Sequence, residues 1–236
     1  DNFVMEMNAV IDAEGKGYYG NTGPGGGNGG GHCSGGSHGG RGGYANNGGA
    51  YPLPVYDSVT QPELPGSGGG GSSGGVPVPE AGRGGGAVRI DVTDTATIDG
   101  AIKANGSPST HYASAGGSGG SIWINCGVFA GSSNGLLSVD GASPVAPYHS
   151  SGGGGGRIAV HYTTLGTPHA VRFSAARATA GWADADRDIR GPWASEDGTI
   201  WLPDAGLFSE NMVDGLFNRG ILVIPGFTSW SVKSLT

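Results

Sequence analysis

The stretch Gly119-Gly120-Ser121-Ile122-Trp123-Ile124 decides the fold, because it recurs. Upstream stands Gly85-Gly86-Ala87-Val88-Arg89-Ile90, and downstream Gly155-Gly156-Arg157-Ile158-Ala159-Val160 and Asp197-Gly198-Thr199-Ile200-Trp201-Leu202. From Val88 through Ile122 and Ile158 to Ile200 the spacings are 34, 36 and 42 residues. Within a copy, apolar residues alternate with others at period two: Val88, Ile90 and Val92 lie on one side, Ala87, Arg89 and Asp91 on the other. That is the pattern of a short strand with one buried face. Between copies lies a second motif. Thr97-Ile98-Asp99-Gly100-Ala101 matches Ser138-Val139-Asp140-Gly141-Ala142, and Ala9-Val10-Ile11-Asp12-Ala13 is a looser version. Each unit thus reads as a glycine run, a short strand, a polar gap, a second short strand near Asp-Gly, and another glycine-rich excursion. No stretch carries a helical period with caps. Strands too short to bury a face alone must stack, each coil adding to the last.

The glycines demand a reason. The chain has 236 residues, of which 52 are glycine and 14 proline. A glycine in a regular element costs about 0.5–1 kcal/mol relative to alanine. From Gly25 to Gly49 a step of three separates small from large. One frame holds Gly27, Gly30, Cys33, Gly36, Gly39 and Gly42, and a second holds Gly25, Asn28, Gly31, Ser34, Ser37 and Gly40. The third frame carries His32, His38, Arg41 and Tyr44. Three is the period of polyproline II. The expectation is close-packed glycine segments with the bulky face outward, their amides bonded to neighbouring segments. The expected class is therefore all-β: a glycine-rich β-solenoid-like stack of short strands with polyproline II-like glycine segments. Residues 1–205 are expected to form a repeat domain of about five coils, and 206–236 a C-terminal connector or the start of a following module.

These motifs resemble a glycine-rich repeat module of very large secreted or cell-surface proteins of microbes, including unicellular eukaryotes. The resemblance rests on Gly119–Ile124, Gly155–Val160 and Gly198–Leu202, with Ser37–Gly43 and Pro62–Gly71 fitting the first half. It runs from about Val10 to about Leu202. It implies an extracellular module of stacked strands and no known activity. The three-residue frame is also similar to the glycine-rich bundles of some antifreeze proteins and phage tail-tip adhesins.

Composition narrows the function. Twelve Lys+Arg against 19 Asp+Glu give a net charge of −7, which lacks the basic footprint of nucleic-acid binding. No apolar run approaches the roughly 20 residues that span a bilayer, so membrane insertion is not expected. The chain begins at Asp1 and reads as a processed protein or a segment of a longer one. Cys33 and Cys126 either form one long-range disulfide or remain free and buried; pairing would suit an oxidising compartment. Asn105-Gly106-Ser107 is a formal glycosylation acceptor, with Pro108 following.

Candidate chemistry is sparse. Asp184, Asp186 and Asp188 form an acidic run of the kind that can hold calcium. Ile189 and Ser195 stand where an EF-hand needs Gly and Glu, so the run reads first as a solvated strand face. His32 and His38 share a frame without a neighbouring carboxylate and read as surface or stacking residues. A polysaccharide lyase or hydrolase would need clustered carboxylates, and Asp91, Asp94, Asp99 and Asp140 are scattered, with Asp91 and Asp99 meeting only if the coil brings their strand ends together. Trp123 and Trp201 occupy the same outward repeat position and offer either stacking platforms for sugar rings or packing contacts; Trp182, Trp193 and Trp230 are further aromatics. The reading is a non-enzymatic extracellular structural module, without cofactor or metal, that self-associates or stacks with neighbouring modules into a surface fibre, sheath or appendage. A glycan-binding adhesin using Trp123 and Trp201, and then a β-helix lyase or hydrolase, are the alternatives.

Overall fold

A computed structural model of the chain describes residues 1–30, 33–44, 51–71, 78–145, 150–178, 194–208, 211–212, 215–228 and 234–235. The strands, in chain order, are β1 (Phe3–Met5), β2 (Val10–Asp12), β3 (Ala87–Asp91), β4 (Thr95–Ile98), β5 (Ala101–Lys103), β6 (Ser121–Asn125), β7 (Val128–Gly131) and β8 (Leu136–Ser138). They continue with β9 (Arg157–His161), β10 (Thr164–His169), β11 (Arg172–Ser174), β12 (Thr199–Trp201), β13 (Asn211–Met212), β14 (Phe217–Asn218), β15 (Ile221–Val223) and β16 (Ser234–Leu235). Three parallel sheets result: β1-β4-β7-β10, β2-β5-β8-β11-β14 and β3-β6-β9-β12-β15, with β13 and β16 forming a separate pair. Successive strands step from the third sheet to the first, to the second, and through a glycine-rich excursion back to the third. The arrangement is β-helix-like, and no helix occurs among the described residues.

This corrects the expected class. A stack of two-strand units with polyproline II-like glycine layers is replaced by three separate parallel sheets. The physical reason lies in the second motif. Its copies are not equivalent: Thr97 and Ile98 end β4 in the first sheet, whereas Ser138 ends β8 in the second and pairs with Lys103. The segment read as one strand near Asp-Gly is thus two strands, β4 and β5, bent at Asp99-Gly100. The first motif behaves differently. Val88, Ile122, Ile158, Ile200 and Leu222 are successive register partners across the third sheet. Beyond residue 205, β14 and β15 extend the second and third sheets.

The core is built of side-chain ladders, one per sheet, running up the axis. In the third sheet Ile122, Ile158 and Ile200 are fully buried. In the second, Ile102, Leu137 and Phe173 are, and in the first Ala96 and Phe129. Aromatic contacts tie the ladders together, Phe129 lying 6.3 Å from Phe173 and Phe173 stacking on Phe217 at 5.4 Å. Apolar burial of this kind yields about 25 cal/mol per Å².

Outside the sheets, the glycine excursions run as legs that hydrogen-bond in closed cycles of three. Gly66 N–H donates to Gly85 O, Gly85 N–H to Ser118 O and Ser118 N–H to Ser67 O, at 2.8–3.0 Å. Three residues along, Gly69 donates to Gly82 O, Gly82 to Ala115 O and Ala115 to Gly70 O. Gly40, Gly155 and Glu196 close another cycle through Arg41 O. Such contact leaves no room for a side chain. A Cβ on Gly119 would fall on the carbonyl oxygen of Val139, and one on Gly156 on that of Gly120. The outward bulky face expected for the Gly25–Gly49 segment is also corrected: His38 is fully buried and Tyr44 nearly so, because another segment packs over them.

The two cysteines do not pair. Cys33 lies among the glycine legs, bridged to Ser150, and its thiol donates to Ala113 O at 3.0 Å. Cys126 lies just past β6, its Sγ 3.5 Å from His161 O. They belong to different layers, and burial raises both thiol pKa values, that of Cys126 to about 11.

Gly119→Ala and Gly156→Ala are expected to lower stability by about 3 kcal/mol each, since the obstacle is backbone. Gly86→Ala, whose Cβ would lie 3.0 Å from the Ala13 side chain and 3.2 Å from its carbonyl oxygen, well outside the overlap at the other two, is expected to cost less, about 1 kcal/mol. Urea denaturation followed by tryptophan fluorescence measures the difference.

Candidate functional site

The outer face of the third sheet holds the residues that the sequence singles out. Side chains alternate across a strand, so burying Ile122 and Ile124 turns Ser121, Trp123 and Asn125 outward. Register then lines up Arg89, Trp123, Ala159 and Trp201 in one row. Asp91, Asn125 and His161 form the row beside it.

Neither tryptophan is a free platform. Trp123 is 8% exposed. The Arg89 guanidinium lies 3.9 Å above its ring, a cation–π contact, and is itself held by Glu63 and Asp91. Trp201 is half-buried, with His161 stacked on it at 4.2 Å. The same imidazole meets Trp123 edge-on at 6.3 Å. A small residue, Ala159, sits between the two tryptophans in the row.

A strap, residues 51–65, runs across this face and is pinned by a buried polar node. Asp57 is its keystone. The Asp57 backbone is left-handed, with φ +70°, a conformation that Asp tolerates better than most residues. Its carboxylate accepts from Ser58 N–H at 2.8 Å, Leu64 N–H at 3.0 Å and Ser121 Oγ at 3.3 Å, and lies 3.3 Å from His38 Nε2. Around it, Arg157 Nε donates to Tyr56 O at 2.9 Å and its Nη1 to Thr199 Oγ1 at 3.0 Å. Ser121 Oγ also reaches Leu64 O at 2.7 Å, and His161 Nε2 lies 2.6 Å from Thr60 O. The strap therefore touches β3, β6, β9 and a glycine leg at once.

Burial opposes the Asp57 charge, but hydrogen bonds from His38, Leu64 and Ser58 outweigh it and hold its pKa at about 2. His38 faces two acceptors, Asp57 and the Gly119 carbonyl at 3.0 Å, which favour a proton on each nitrogen. Full burial opposes that charge and moves the His38 pKa down on balance. Burial also lowers the Arg157 pKa and raises that of the Tyr56 phenol.

Ser121, His38 and Asp57 do not make a nucleophile. The hydroxyl bonds to the carboxylate and to a backbone carbonyl, not to the imidazole, and Ser121 and His38 are fully buried. Asp99 and Asp140 have structural partners. Asp99 accepts from Ser132 N–H at 2.7 Å. Asp140 Oδ1 accepts from Ser174 Oγ and from Ala176 N–H on the next coil. Asn105 does the same one coil earlier, its Oδ1 accepting from Ser138 Oγ and Asp140 N–H at 2.7 Å. Its amide, the expected glycan acceptor, is thus lodged between coils. Asp91 pairs with Arg89, and Asp99 is held apart from it by its own bond to Ser132 on the next coil. No cluster suited to a metal occurs among the described residues. Asp184, Asp186, Asp188, His32, His149, Trp182, Trp193 and Trp230 lie outside them.

Sequence reading missed the Asp57 node. Its signal was faint: Arg157 is the one charged residue at its repeat position, where the other copies have Ala87, Ser121 and Thr199. Compared with known protein families, curated proteins and solved structures, the chain matches none.

Asp57→Asn is expected to destabilise the fold by about 2 kcal/mol at pH 7, by leaving buried donors without their charged acceptor. A depressed carboxylate pKa contributes stability that is present above the ordinary value near ~3.9 and lost as pH falls through the folded value. Wild-type tryptophan fluorescence is therefore expected to hold down to about pH 4 and change as pH approaches about 2. In Asp57→Asn that low-pH change disappears.

Proposed function

We propose that this chain is a non-enzymatic structural module of an extracellular fibre, sheath or appendage. The observation that carries the reading is the glycine block. Glycine legs from five parts of the chain are locked by interleaved backbone hydrogen bonds, with carbonyl oxygens standing where side chains would be. A chain that removes side chains from so much of its interior gives up the groups that bind and catalyse, and gains a stiff, dense body. The polar residues point the same way. Asp57, His38, Arg157, Asn105 and Asp140 are all engaged in holding one segment to another. The extracellular setting rests on the resemblance of the Gly119–Ile124, Gly155–Val160 and Gly198–Leu202 motifs to secreted repeat modules.

The glycan reading is weaker on this geometry. It would rest on Trp201 alone, because Arg89 covers Trp123. The lyase reading would need a carboxylate cluster, and of the carboxylates it invokes Asp91 pairs with Arg89, Asp99 with Ser132 N–H, and Asp140 with Ser174 and Ala176.

Hydrogen exchange tests the reading. Amides of Gly66, Gly85, Ser118, Gly119 and Gly154 are expected to exchange only through global unfolding, as slowly as those of β6 and β9. Exchange at the rate of an unstructured peptide would show the block to be a tether rather than a building element, and would end the proposal.

A further inference from the structure

The ladders that are sealed in the middle coils are open at both ends. In the third sheet the row runs from half-buried Val88 through three fully buried isoleucines to Leu222, which is 37% exposed. In the second it runs from half-buried Ile11 through Ile102, Leu137 and Phe173 to half-buried Phe217. In the first, half-buried Phe3 and Leu165 flank fully buried Ala96 and Phe129. Exposed apolar residues gather at these ends as well. Val4 and Met7 are each 61% exposed at the lower end, and Ile221 is 56% exposed at the upper. At the upper end a cavity of about 460 Å³ is lined by Phe208, Leu222, Val223, Ile224 and Phe227.

Among the described residues, each terminal strand of the three sheets has a strand partner on one side only. An open parallel edge over an uncovered core is what the interior strands present to one another. The second and third sheets run from β2 and β3 at the lower end to β14 and β15 at the upper, whereas the first stops a coil lower at β10; the ladders that match between the two ends are those of the second and third sheets, with the same strand direction. The lower end of one copy therefore continues the upper end of another, as each coil continues the one beneath.

The geometry points to a second copy of this chain as the occupant of the upper end, stacked head to tail. Ile11 of the incoming copy extends the ladder above Phe217, and its Val88 extends the ladder above Leu222. This rests on the structural reading above and names its partner and polarity. The contact is heterologous: two different surfaces meet, so it propagates instead of closing at a dimer. It also covers the apolar cavity and pairs both open edges.

The test uses the full chain and two single variants, Ile11→Asp at the lower end and Leu222→Asp at the upper. Sedimentation velocity from about 10 µM to 1 mM, a span of two decades in mass action, is expected to give a series of wild-type species growing with concentration. Electron microscopy should show rods of one strand polarity. Each variant alone should stay monomeric, its self-association weakened at least tenfold. An equimolar mixture should stop at a one-to-one dimer, because one intact upper end then meets one intact lower end. Should circular dichroism show either variant unfolded, Val10→Lys and Ile221→Lys, at positions 56% exposed, replace them. A wild-type dimer that does not grow, or a variant that dimerises through its intact end, overturns the inference in favour of face-to-face pairing. A wild-type monomer throughout overturns it too, while slow exchange in the glycine block would leave the structural reading standing.

Discussion

The structure depends on hydrogen bonds between backbones that approach with nothing between them. In each cycle of three legs, an amide of one leg reaches a carbonyl of the next until the ring closes, as from Gly66 to Gly85 to Ser118 and back to Ser67. A buried amide without a partner costs about as much as a lost hydrogen bond. Legs that join no sheet must therefore satisfy one another. They do so only at separations where a Cβ would strike a carbonyl oxygen. Glycine abundance is a consequence of that distance. The recurrence of the cycles at a step of three residues, from Gly66 to Gly69, from Gly85 to Gly82 and from Ser118 to Ala115, sets where large residues are allowed.

That constraint reaches the strands. The glycine legs leave the second sheet and return to the third, so every coil enters the third sheet from a rigid base. Gly120 N–H donates to Ala104 O and Gly156 N–H to Val139 O, each at 2.7 Å, just before β6 and β9 begin. The strand that follows starts at a fixed height, which explains why the repeat register is most regular in this sheet. On the other side of the same sheet, the Asp57 node fastens the strap. Its members come from the strap itself, from a glycine leg through His38, and from β6, β9 and β12. A single buried carboxylate thus couples the glycine layer to the sheet face. That is why the aromatic row beneath is packed and not presented.

How much of this was legible follows from which signals survive in a linear sequence. Val88, Ile122, Ile158 and Ile200 were legible because the strands bearing them are five or three residues long with strict alternation, and their partners differ only in the outward residue. The first sheet was not. Its strands read Thr-Ala-Thr-Ile, Val-Phe-Ala-Gly and Thr-Leu-Gly-Thr-Pro-His, and small or polar residues there blur the period. Asp-Gly misled, because it marks a bend at Asp99 and an inter-coil acceptor at Asp140. The true counterpart of Asp140 is Asn105, two residues past the aligned Lys103–Ser138 pair. The three-residue frame showed which residues of the Gly25–Gly49 segment are large. It did not show that a strap 20 residues further on would bury His38. The Asp57 node joins residues as far apart in sequence as His38 and Thr199, and no local pattern encodes such a meeting.

The same logic distinguishes the sides of this molecule from its ends. On the sides, Asp57, His38, Arg157, Asn105 and Asp140 are each committed to holding a neighbouring segment, and the aromatic row is packed under Arg89, His161 and the strap. At the ends, the interactions that built each coil are left unfinished: one free strand edge per sheet and one half-open ladder beside it. In the second sheet the strand at the lower end differs from the one above it chiefly in lacking a neighbour on one side. Ile102 and Ile11 are register partners with the same side chain, and one is fully buried while the other is not. The free energy that a further coil gains by covering Ile11 is of the same kind that Ile102 already gains from Leu137. The ladder contact is thus made in full where a strand has neighbours on both sides and in part where it has one.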